Sequence, residues 1–551
     1  MRIGMSILVL VALGWTAIAG EAAAAERWRI TKTHWSQSDE RAYETFITAL
    51  GEADCWTLDE CLKSPANIYR HTDPKVRFLA DCADLPYFLR AYFAWKNGLP
   101  FAYQTAMSSL DGPGTDIRYS SHGNRVVARK SVPATAAGVN AVEILIELRG
   151  TISTGMFRHP ADADDAGYFT DMYSPELKRQ SIRPGTIAYD VNGHVAMVWK
   201  VEEDGRILTI SSHPDHSLSR SFYGRNFLRT DPALGTNFKN WRPIELVGAT
   251  QGPGGALVGG HIVAPRNAQI ADFSLEQYFG NQPNPAGDWE QARFVHDGEA
   301  LDYYHYLRAV MATGDLVYNP VTELRTMMHS LCQDIEARKL AVDLAVANGL
   351  PRQPHPGHLP DNIYGTYGTW EVYSTPSRDA RLKTSFKEMK DHIASLIDLH
   401  RQASPRIAYA GSDLVGDLLA TYGQESQACR IAYRRTDGKS VTLTLDNVRE
   451  RLFDLSFDPF HCVERRWGAR GQDELASCRD DGLKTRWYAA EAPLRRQIDR
   501  TYDVFMGHDL PALEAGPFGI ETGKGVAEAP DVDLPAYLEN LAERRSAAGS
   551  L

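Results

Sequence analysis

The cysteine content of this chain is the sequence feature that most constrains its fold. The seven cysteines among its 551 residues are Cys55, Cys61, Cys82, Cys332, Cys429, Cys462 and Cys478. In an oxidising compartment cysteines pair by default, so the fold must bring the partners together. An odd number leaves one thiol without a partner, and such a thiol is a candidate reactive group. The compartment therefore has to be established first.

Residues 1–25 have the layout of a secretory signal peptide. Arg2 precedes an apolar run at residues 7–19, and two small-residue cleavage patterns follow, AIA at 17–19 and AAA at 23–25. The apolar run is shorter than a helix needs to span the ~30 Å hydrocarbon core of a membrane. We therefore expect an exported chain, periplasmic or secreted, with no integral membrane segment after the leader is removed.

The composition is that of an ordinary folded protein without affinity for nucleic acid. The chain is 43% hydrophobic and 23% charged, which is average globular usage, and its length predicts two or three domains. The formal net charge of −11 contains no long run of one sign, so a nucleic-acid partner is not expected. No Walker-type or dinucleotide glycine motif joins a strand pattern to a helix pattern, and we predict no cofactor and no metal.

Three disulfides can be suggested from the spacing, although six cysteines allow fifteen connectivities. Two pairs are separated by short segments, and the remaining two cysteines would then pair across the C-terminal half. The suggested pairs are Cys55–Cys61, Cys462–Cys478 and Cys332–Cys429. Elimination leaves Cys82 as the free thiol.

Cys82 stands at the start of a predicted helix. Apolar residues recur at 85, 88, 89, 92, 93 and 95 with helical spacing, and the pattern stops at Asn97-Gly98. Pro86 is tolerated only in the first turn of a helix, so the helix must begin near residues 82–84. The positive end of the helix favours a thiolate, whereas Asp81 and Asp84 oppose it and can serve as caps.

A thiolate nucleophile needs a base, and His194 is the best candidate. The runs TIAYDV, HVAMVWKV and RILTISS are joined by Asn192-Gly193 and Asp204-Gly205, which predicts a three-stranded antiparallel meander. His194 opens the middle strand. If Asp204-Gly205 is a two-residue loop, the register carries His194 to residues 211–215. There His213 or Asp215 could orient its imidazole.

These motifs together resemble the NlpC-type cell-wall peptidases, which are papain-like cysteine hydrolases. The resemblance rests on Asp81-Cys82 at a helix start, Pro184-Gly185 before a strand and His194-Val195 after a turn, within residues 60–225. It implies an α+β fold with a helix-borne cysteine and a sheet-borne histidine.

The same resemblance implies a function and a set of site residues. Cys82 and His194 would be catalytic, with His213 the third member, and Tyr69 would lie near the oxyanion site beside the Cys82 N–H. The activity implied is hydrolysis of an amide bond in a peptide or peptidoglycan-like substrate. An insertion at about residues 105–180 would account for the long separation between the cysteine and the histidine.

Two other interpretations remain open. The stretch DCADLPYFLRAYFAWKNGLPF also resembles the transglutaminase-like cysteine proteases, which favour Cys-x-Asp and act on proteins. In that version the third member is an aspartate, matched by Asp215. From a different class, the same fold could serve as a catalytically inactive binding or scaffold protein.

The composition and the hydrophobic pattern of the sequence change after the predicted hydrolase domain at residues 26–245. Residues 246–272 are rich in glycine and predict a linker or long loop. Residues 273–551 are mainly helical in pattern, with a hairpin at Asp437-Gly438. The role of this helical domain is not indicated by any motif.

Three further segments are interpreted as structural. HPGH at 355–358 and HPDH at 213–216 contain metal-binding residue types, but each lies in a proline-rich turn, which favours surface loops. The aromatic segment from Ile363, with Arg378 close by, could line a groove for peptide or sugar. We interpret it instead as an irregular segment packed on the helices.

Overall fold

The protein combines a six-stranded antiparallel sheet and several two-stranded ribbons with helices on both faces of the large sheet, which confirms the α+β class. The computed structural model describes residues 26–164, 169–365, 368–373, 375–501 and 504–549. The predicted signal peptide lies outside these residues. No helix in the described ranges is both long and apolar enough to cross a membrane.

The N-terminal half holds most of the strands. Its helices are α1 (Gln37–Glu52), α2 (Leu58–Lys63), α3 (Asp84–Asn97), α4 (Ala141–Thr151) and α5 (Glu276–Phe279). The strands are β1 (Arg27–Trp28), β2 (Ala102–Ser109), β3 (Asn124–Ser131), β4 (Val139–Asn140), β5 (Met172–Tyr173), β6 (Ile187–Asp190), β7 (His194–Val201), β8 (Ile207–Ser212), β9 (Leu218–Phe222), β10 (Asn237–Trp241), β11 (Glu245–Val247), β12 (Thr250–Gln251), β13 (Leu257–Val258), β14 (His261–Val263), β15 (Phe294–His296) and β16 (Glu299–Leu301).

The C-terminal half, from residue 303 onward, is mainly helical. The sequence predicted this for residues 273–551, a range that also contains β15 and β16. The two strands after residue 303, β17 (Arg430–Arg434) and β18 (Ser440–Thr444), form the predicted hairpin. The helices are α6 (Tyr303–Met311), α7 (Pro320–Ala347), α8 (Thr369–Tyr373), α9 (Pro376–Arg401), α10 (Leu414–Ala428), α11 (Leu445–Glu450), α12 (Val463–Arg466), α13 (Gln472–Leu475), α14 (Gly482–Ala490), α15 (Ala492–Arg496), α16 (Leu510–Glu514) and α17 (Leu534–Gly549).

The central sheet is six-stranded, with the order β5-β10-β6-β7-β8-β9. Alternate side chains of β7 enter different cores, since successive strand residues point to opposite faces. Val195 and Met197 join the core that contains α1 and α3. Ala196 and Val198 join a second core, closed by α6. A third core lies within the helical half, where α7, α9 and α10 pack together.

The predicted meander β6-β7-β8 is confirmed, but both of its turns differ from the prediction. Asp190 pairs with His194, so the first loop has three residues, and Gly193 at φ +80° closes it. Asn192 lacks the positive φ that a two-residue type I′ turn requires. The second loop is likewise three residues long, because the Glu202 N–H donates to the Arg206 carbonyl.

The glycine-rich segment at 246–272 forms structure where we predicted a linker. Strand β11 pairs with β14, and β12 pairs with β13, in two short antiparallel ribbons. These ribbons are held against the N-terminal strand region, where the Leu246 N–H donates to the Thr33 carbonyl and the Leu257 N–H to the Ile30 carbonyl, each at 2.7 Å. The glycines allow tight reversals and close approach, which composition alone does not distinguish from flexibility.

All three suggested disulfides are present. They are Cys55–Cys61, Cys332–Cys429 and Cys462–Cys478, and Cys82 is the free cysteine. The second bridge joins α7 to the C-terminal end of α10 and spans 97 residues of sequence. It therefore constrains the helical half far more than the bridge between Cys55 and Cys61, whose sequence separation is 6.

Removing the long-range disulfide should destabilise the protein most. A loop of this length restricts the unfolded chain strongly, so the Cys332→Ala, Cys429→Ala double variant should lose about 2–5 kcal/mol of unfolding free energy. The matched control is the double variant Cys55→Ala, Cys61→Ala. It removes a bridge that closes only a short loop, so it should lose less unfolding free energy. Urea unfolding followed by tryptophan fluorescence measures both. Equal losses in the two variants would contradict the loop-length explanation.

Candidate functional site

The start of α3 holds Cys82 as the sequence predicted. The Asp81 carboxylate accepts hydrogen bonds from the N–H groups of Ala83 and Asp84, at 2.9 and 3.0 Å. Asp84 in turn accepts from the Asp81 N–H at 3.3 Å. This reciprocal capping satisfies N–H groups that a helix start leaves free, and it fixes the intervening Cys82 at the end of the helix.

The Cys82 thiol lies against the beginning of β7. It donates to the Gly193 carbonyl, with sulfur and oxygen 3.7 Å apart. The Val195 N–H lowers the pKa of the thiol, and Gly193 and Val195 flank His194 in sequence. Helix α3 and strand β7 therefore bring the two predicted residues together, although no hydrogen bond joins the thiol to the imidazole in the described structure.

Cys82 and His194 line one cavity of about 100 Å³ together with His213. The cavity wall is completed by the C-terminal half, through Tyr364, Gly365, Glu371 and the first turn of α9. Part of the aromatic segment from Ile363 thus reaches the cavity, whereas Trp370 packs against Phe460 as a structural residue. The sequence suggested both roles, and the structure divides them within one segment.

His213 lies beside His194, as the predicted register suggested. The two rings are nearly parallel, at an angle of 15°, with centroids 5.7 Å apart. No hydrogen bond joins them in the described structure, and the His213 Nε2 is hydrogen-bonded to the Ser219 hydroxyl at 2.8 Å. His213 is 5% exposed, so placing HPDH in a surface loop was wrong for this residue.

Asp215 does not contact His194. One carboxylate oxygen accepts from the Ser217 hydroxyl and N–H, at 2.6 and 3.0 Å, and the other accepts from Arg378 at 3.0 Å. Burial would raise the pKa of this carboxyl, but Arg378 and Ser217 hold it below its ordinary value. Its proposed role as the residue that orients His194 is therefore contradicted, because the guanidinium from α9 already occupies it.

Tyr69 is a core residue and does not line the cavity. Its ring packs edge-on against Phe93 and Phe46, with centroid distances of 5.2 and 5.9 Å. Its carbonyl accepts the Tyr92 hydroxyl at 2.5 Å. Its predicted place near the oxyanion site is wrong, because the aromatic cluster between α1 and α3 takes up the ring.

The electrostatics of the site favour a neutral thiol beside a neutral imidazole. Burial, reinforced by the charge of Asp81, raises the pKa of Cys82 well above its ordinary value, despite the Val195 N–H. Burial also holds the pKa of His194 well below its ordinary value, and Arg381 adds to this effect. The thiolate expected at the helix start is therefore opposed more strongly than the helix end favours it.

Two arginines of α9 were not predicted as site residues. Arg378 and Arg381 both line the cavity. Arg381 donates to the Ser377 hydroxyl at 2.7 Å, and no described carboxylate lies within ion-pair distance of it. Burial lowers the pKa of Arg381 to about 10, so it remains charged at neutral pH. Their helical spacing showed that they share a face, but nothing in the sequence placed that face beside Cys82.

Comparison with known proteins gives no further assignment. No protein-family model matches the chain, and no curated protein and no solved structure gives a significant match.

The raised pKa of Cys82 predicts slow alkylation at neutral pH. The native thiol should react with iodoacetamide more slowly than the same thiol in urea, because the thiolate is the reacting species. Its rate should rise with pH beyond the ordinary thiol pKa of about 8.5. Mass spectrometry after timed labelling measures this. A fast rate with a plateau below pH 7 would instead show a thiolate–imidazolium pair.

The buried pair of Asp215 and Arg378 should contribute strongly to stability. Because removing one partner leaves a buried charge, Asp215→Asn should lower the unfolding free energy by about 3 kcal/mol at neutral pH. The folded-state pKa of Asp215 is depressed, so the loss should shrink as the pH falls through that value.

The control for this pair is Asp164→Asn, which removes the partner of the more exposed Arg266. An exposed pair contributes about 0–1 kcal/mol. Urea unfolding at several pH values measures both variants, and an equal loss in the two would contradict the burial argument.

Proposed function

We propose that this protein is an exported cysteine hydrolase that cleaves an amide bond through Cys82 and His194. The observation that carries the proposal is the meeting of a free helix-borne thiol and a strand-borne histidine at one cavity. This is the arrangement of the papain-like hydrolases that the sequence motifs resemble. A peptide or peptidoglycan-like substrate follows from the same resemblance.

The mechanism starts from a neutral thiol and uses His194 as general base. His194 takes the thiol proton as the sulfur attacks the carbonyl carbon of the substrate, and it then protonates the leaving amine. Water hydrolyses the resulting thioester. The Cys82 N–H, which has no acceptor among the described residues, is available to stabilise the oxyanion. His213, the third residue implied by the resemblance, lies parallel to the imidazole, with ring centroids 5.7 Å apart.

The charges at the cavity favour a substrate that carries a carboxylate. Arg378 is neutralised by Asp215, whereas Arg381 has a hydroxyl as its described hydrogen-bond partner. Asp334 lies near Arg381, but burial raises the pKa of this carboxyl to about 7, which reduces its charge at neutral pH. A substrate carboxylate would complete the pairing of Arg381.

The transglutaminase-like alternative has less support from the geometry. It assigns the third position to Asp215, and that carboxylate is engaged by Arg378 and Ser217. Two observations favour a non-catalytic binding role. Tyr364, Gly365, Glu371 and the start of α9 partly close the cavity, and burial keeps the Cys82 thiol protonated.

Digestion of defined acidic peptides and cell-wall fragments by the mature protein tests the proposal. Wild type should release products detectable by mass spectrometry, and Cys82→Ser and His194→Gln should each reduce kcat/KM by at least ~100-fold. Arg381→Gln should chiefly raise KM for acidic substrates. His261→Gln, at an exposed histidine of β14, is the matched control and should retain activity.

Two results would overturn the proposal. Equal turnover by wild type and Cys82→Ser would remove the thiol from the reaction. Binding of an acidic peptide by wild type and Cys82→Ser alike, without any product, would establish the binding role instead.

A further inference from the structure

A second cluster of ionisable side chains lies in the helical half, away from the Cys82 cavity. His355 follows α7 in the HPGH segment, Asp458 precedes α12, and Glu491 joins α14 to α15. One potential ligand atom from each of the three residues lies within 4.8 Å of the other two. The side chains of all three are fully buried. The interpretation of HPGH as a surface loop is therefore wrong for His355, although His358 is exposed.

Several polar atoms of these three side chains have no hydrogen-bond partner. The His355 Nε2, the Asp458 Oδ2 and both carboxylate oxygens of Glu491 are buried and have no hydrogen-bond partner in the described structure. Buried polar atoms are almost always hydrogen-bonded. One such atom from each of three residues, each within 4.8 Å of the other two, indicates a missing proton or metal ion.

The tautomer of His355 sharpens this conclusion. Its Nδ1 is hydrogen-bonded to the Pro356 carbonyl, and because a carbonyl can only accept, Nδ1 must carry the proton. In the neutral ring Nε2 then presents a lone pair, 3.0 Å from the Asp458 Oδ2. Two lone pairs at this distance repel each other unless a proton or a metal ion lies between them. Metal-bound histidines commonly donate their other N–H to a backbone carbonyl in this way.

The surrounding groups hold the ligands and offset only part of their charge. The other oxygen of Asp458 accepts the Phe460 N–H at 2.7 Å. Arg495 lies 3.8 Å from Glu491 and offsets part of its charge, while it donates hydrogen bonds to the backbone carbonyls of Phe453 and Tyr488. Lys484 likewise donates to carbonyls. The two carboxylates therefore retain negative charge for a cation.

His461 lies next to the cluster, but both of its ring nitrogens are already hydrogen-bonded. Its Nε2 faces the Lys484 carbonyl at 3.1 Å and must donate to it, so its Nδ1 accepts from the Ser456 hydroxyl at 2.8 Å. Neither nitrogen is available to a metal. The ligand set is therefore one imidazole nitrogen and carboxylate oxygens from two residues.

We propose that His355, Asp458 and Glu491 bind a structural divalent transition-metal ion, and that Zn²⁺ suits the site best. Nitrogen and oxygen donors of these types suit Zn²⁺, and the three residues offer one donor atom each. Trp487 stacks on His355, with ring centroids 4.1 Å apart, and the side chains are sealed from solvent, as in a structural site. The ion would tie the segment after α7 to α14.

Metal analysis of the mature, disulfide-bonded protein tests this proposal. We expect about one equivalent of zinc per chain, loss of thermal stability on chelation, and recovery with Zn²⁺ rather than Ca²⁺. Glu491→Gln and Asp458→Asn should each abolish the bound metal. His358→Ala, an exposed histidine in the same HPGH segment, is the matched control and should retain it.

A proton is the competing explanation, either on the His355 Nε2 that faces Asp458 or shared between Asp458 and Glu491. In that case Glu491→Gln would leave the melting temperature unchanged or raise it, because a glutamine amide can donate to Asp458. That result, or a protein without metal after incubation with Zn²⁺ or Mn²⁺, would overturn the proposal.

X-ray absorption at the zinc edge provides a readout on wild type alone, should the variants fail to fold. The expected spectrum shows nitrogen and oxygen neighbours at about 2.0–2.2 Å. Sulfur neighbours at about 2.3 Å would place the metal at cysteines and overturn the assignment.

Discussion

The burial of strand β7 on both faces is the constraint on which the rest of the structure depends. Its alternate side chains enter two separate cores, one shared with α1 and α3 and the other with α6. A strand held in this way has little freedom in position or register. His194, at its first residue, is therefore placed in a low-dielectric environment by packing alone. The same packing brings the capped start of α3 against the strand, so the fold delivers Cys82 and His194 together.

The C-terminal half completes the environment of that pair through charged groups. Arg378 reaches Asp215, and Arg500 reaches Asp190 at the end of β6, so two ion pairs join the helical half to the sheet region. Desolvation offsets much of the attraction in a buried pair, and what such pairs can add is a preference for one arrangement. Here the pair of Arg378 and Asp215 fixes how α9 sits over the cavity. The arginine charges also help to keep His194 neutral.

The sequence predicted the features that depend on neighbouring residues or on simple counting. Cysteine parity identified Cys82, helical spacing located α3, and turn residues located the meander. The partner of His194 depended on finer geometry. A two-residue loop at Asp204-Gly205 would have set Asp215 opposite His194, but the three-residue loop and a bulge between Val198 and Lys200 make the register continue to His213. Neither Arg381 nor the cluster at His355 could be placed, because each depends on contacts between distant segments.

The burial that keeps Cys82 protonated has a consequence for a chain that forms three disulfides. Under the oxidising conditions in which cysteines pair, an accessible thiolate is captured into mixed disulfides or oxidised further. A thiol with a raised pKa, sheltered against β7, presents little thiolate to such reactions. The arrangement that restrains the reactivity of Cys82 therefore also preserves the thiol in the folded protein.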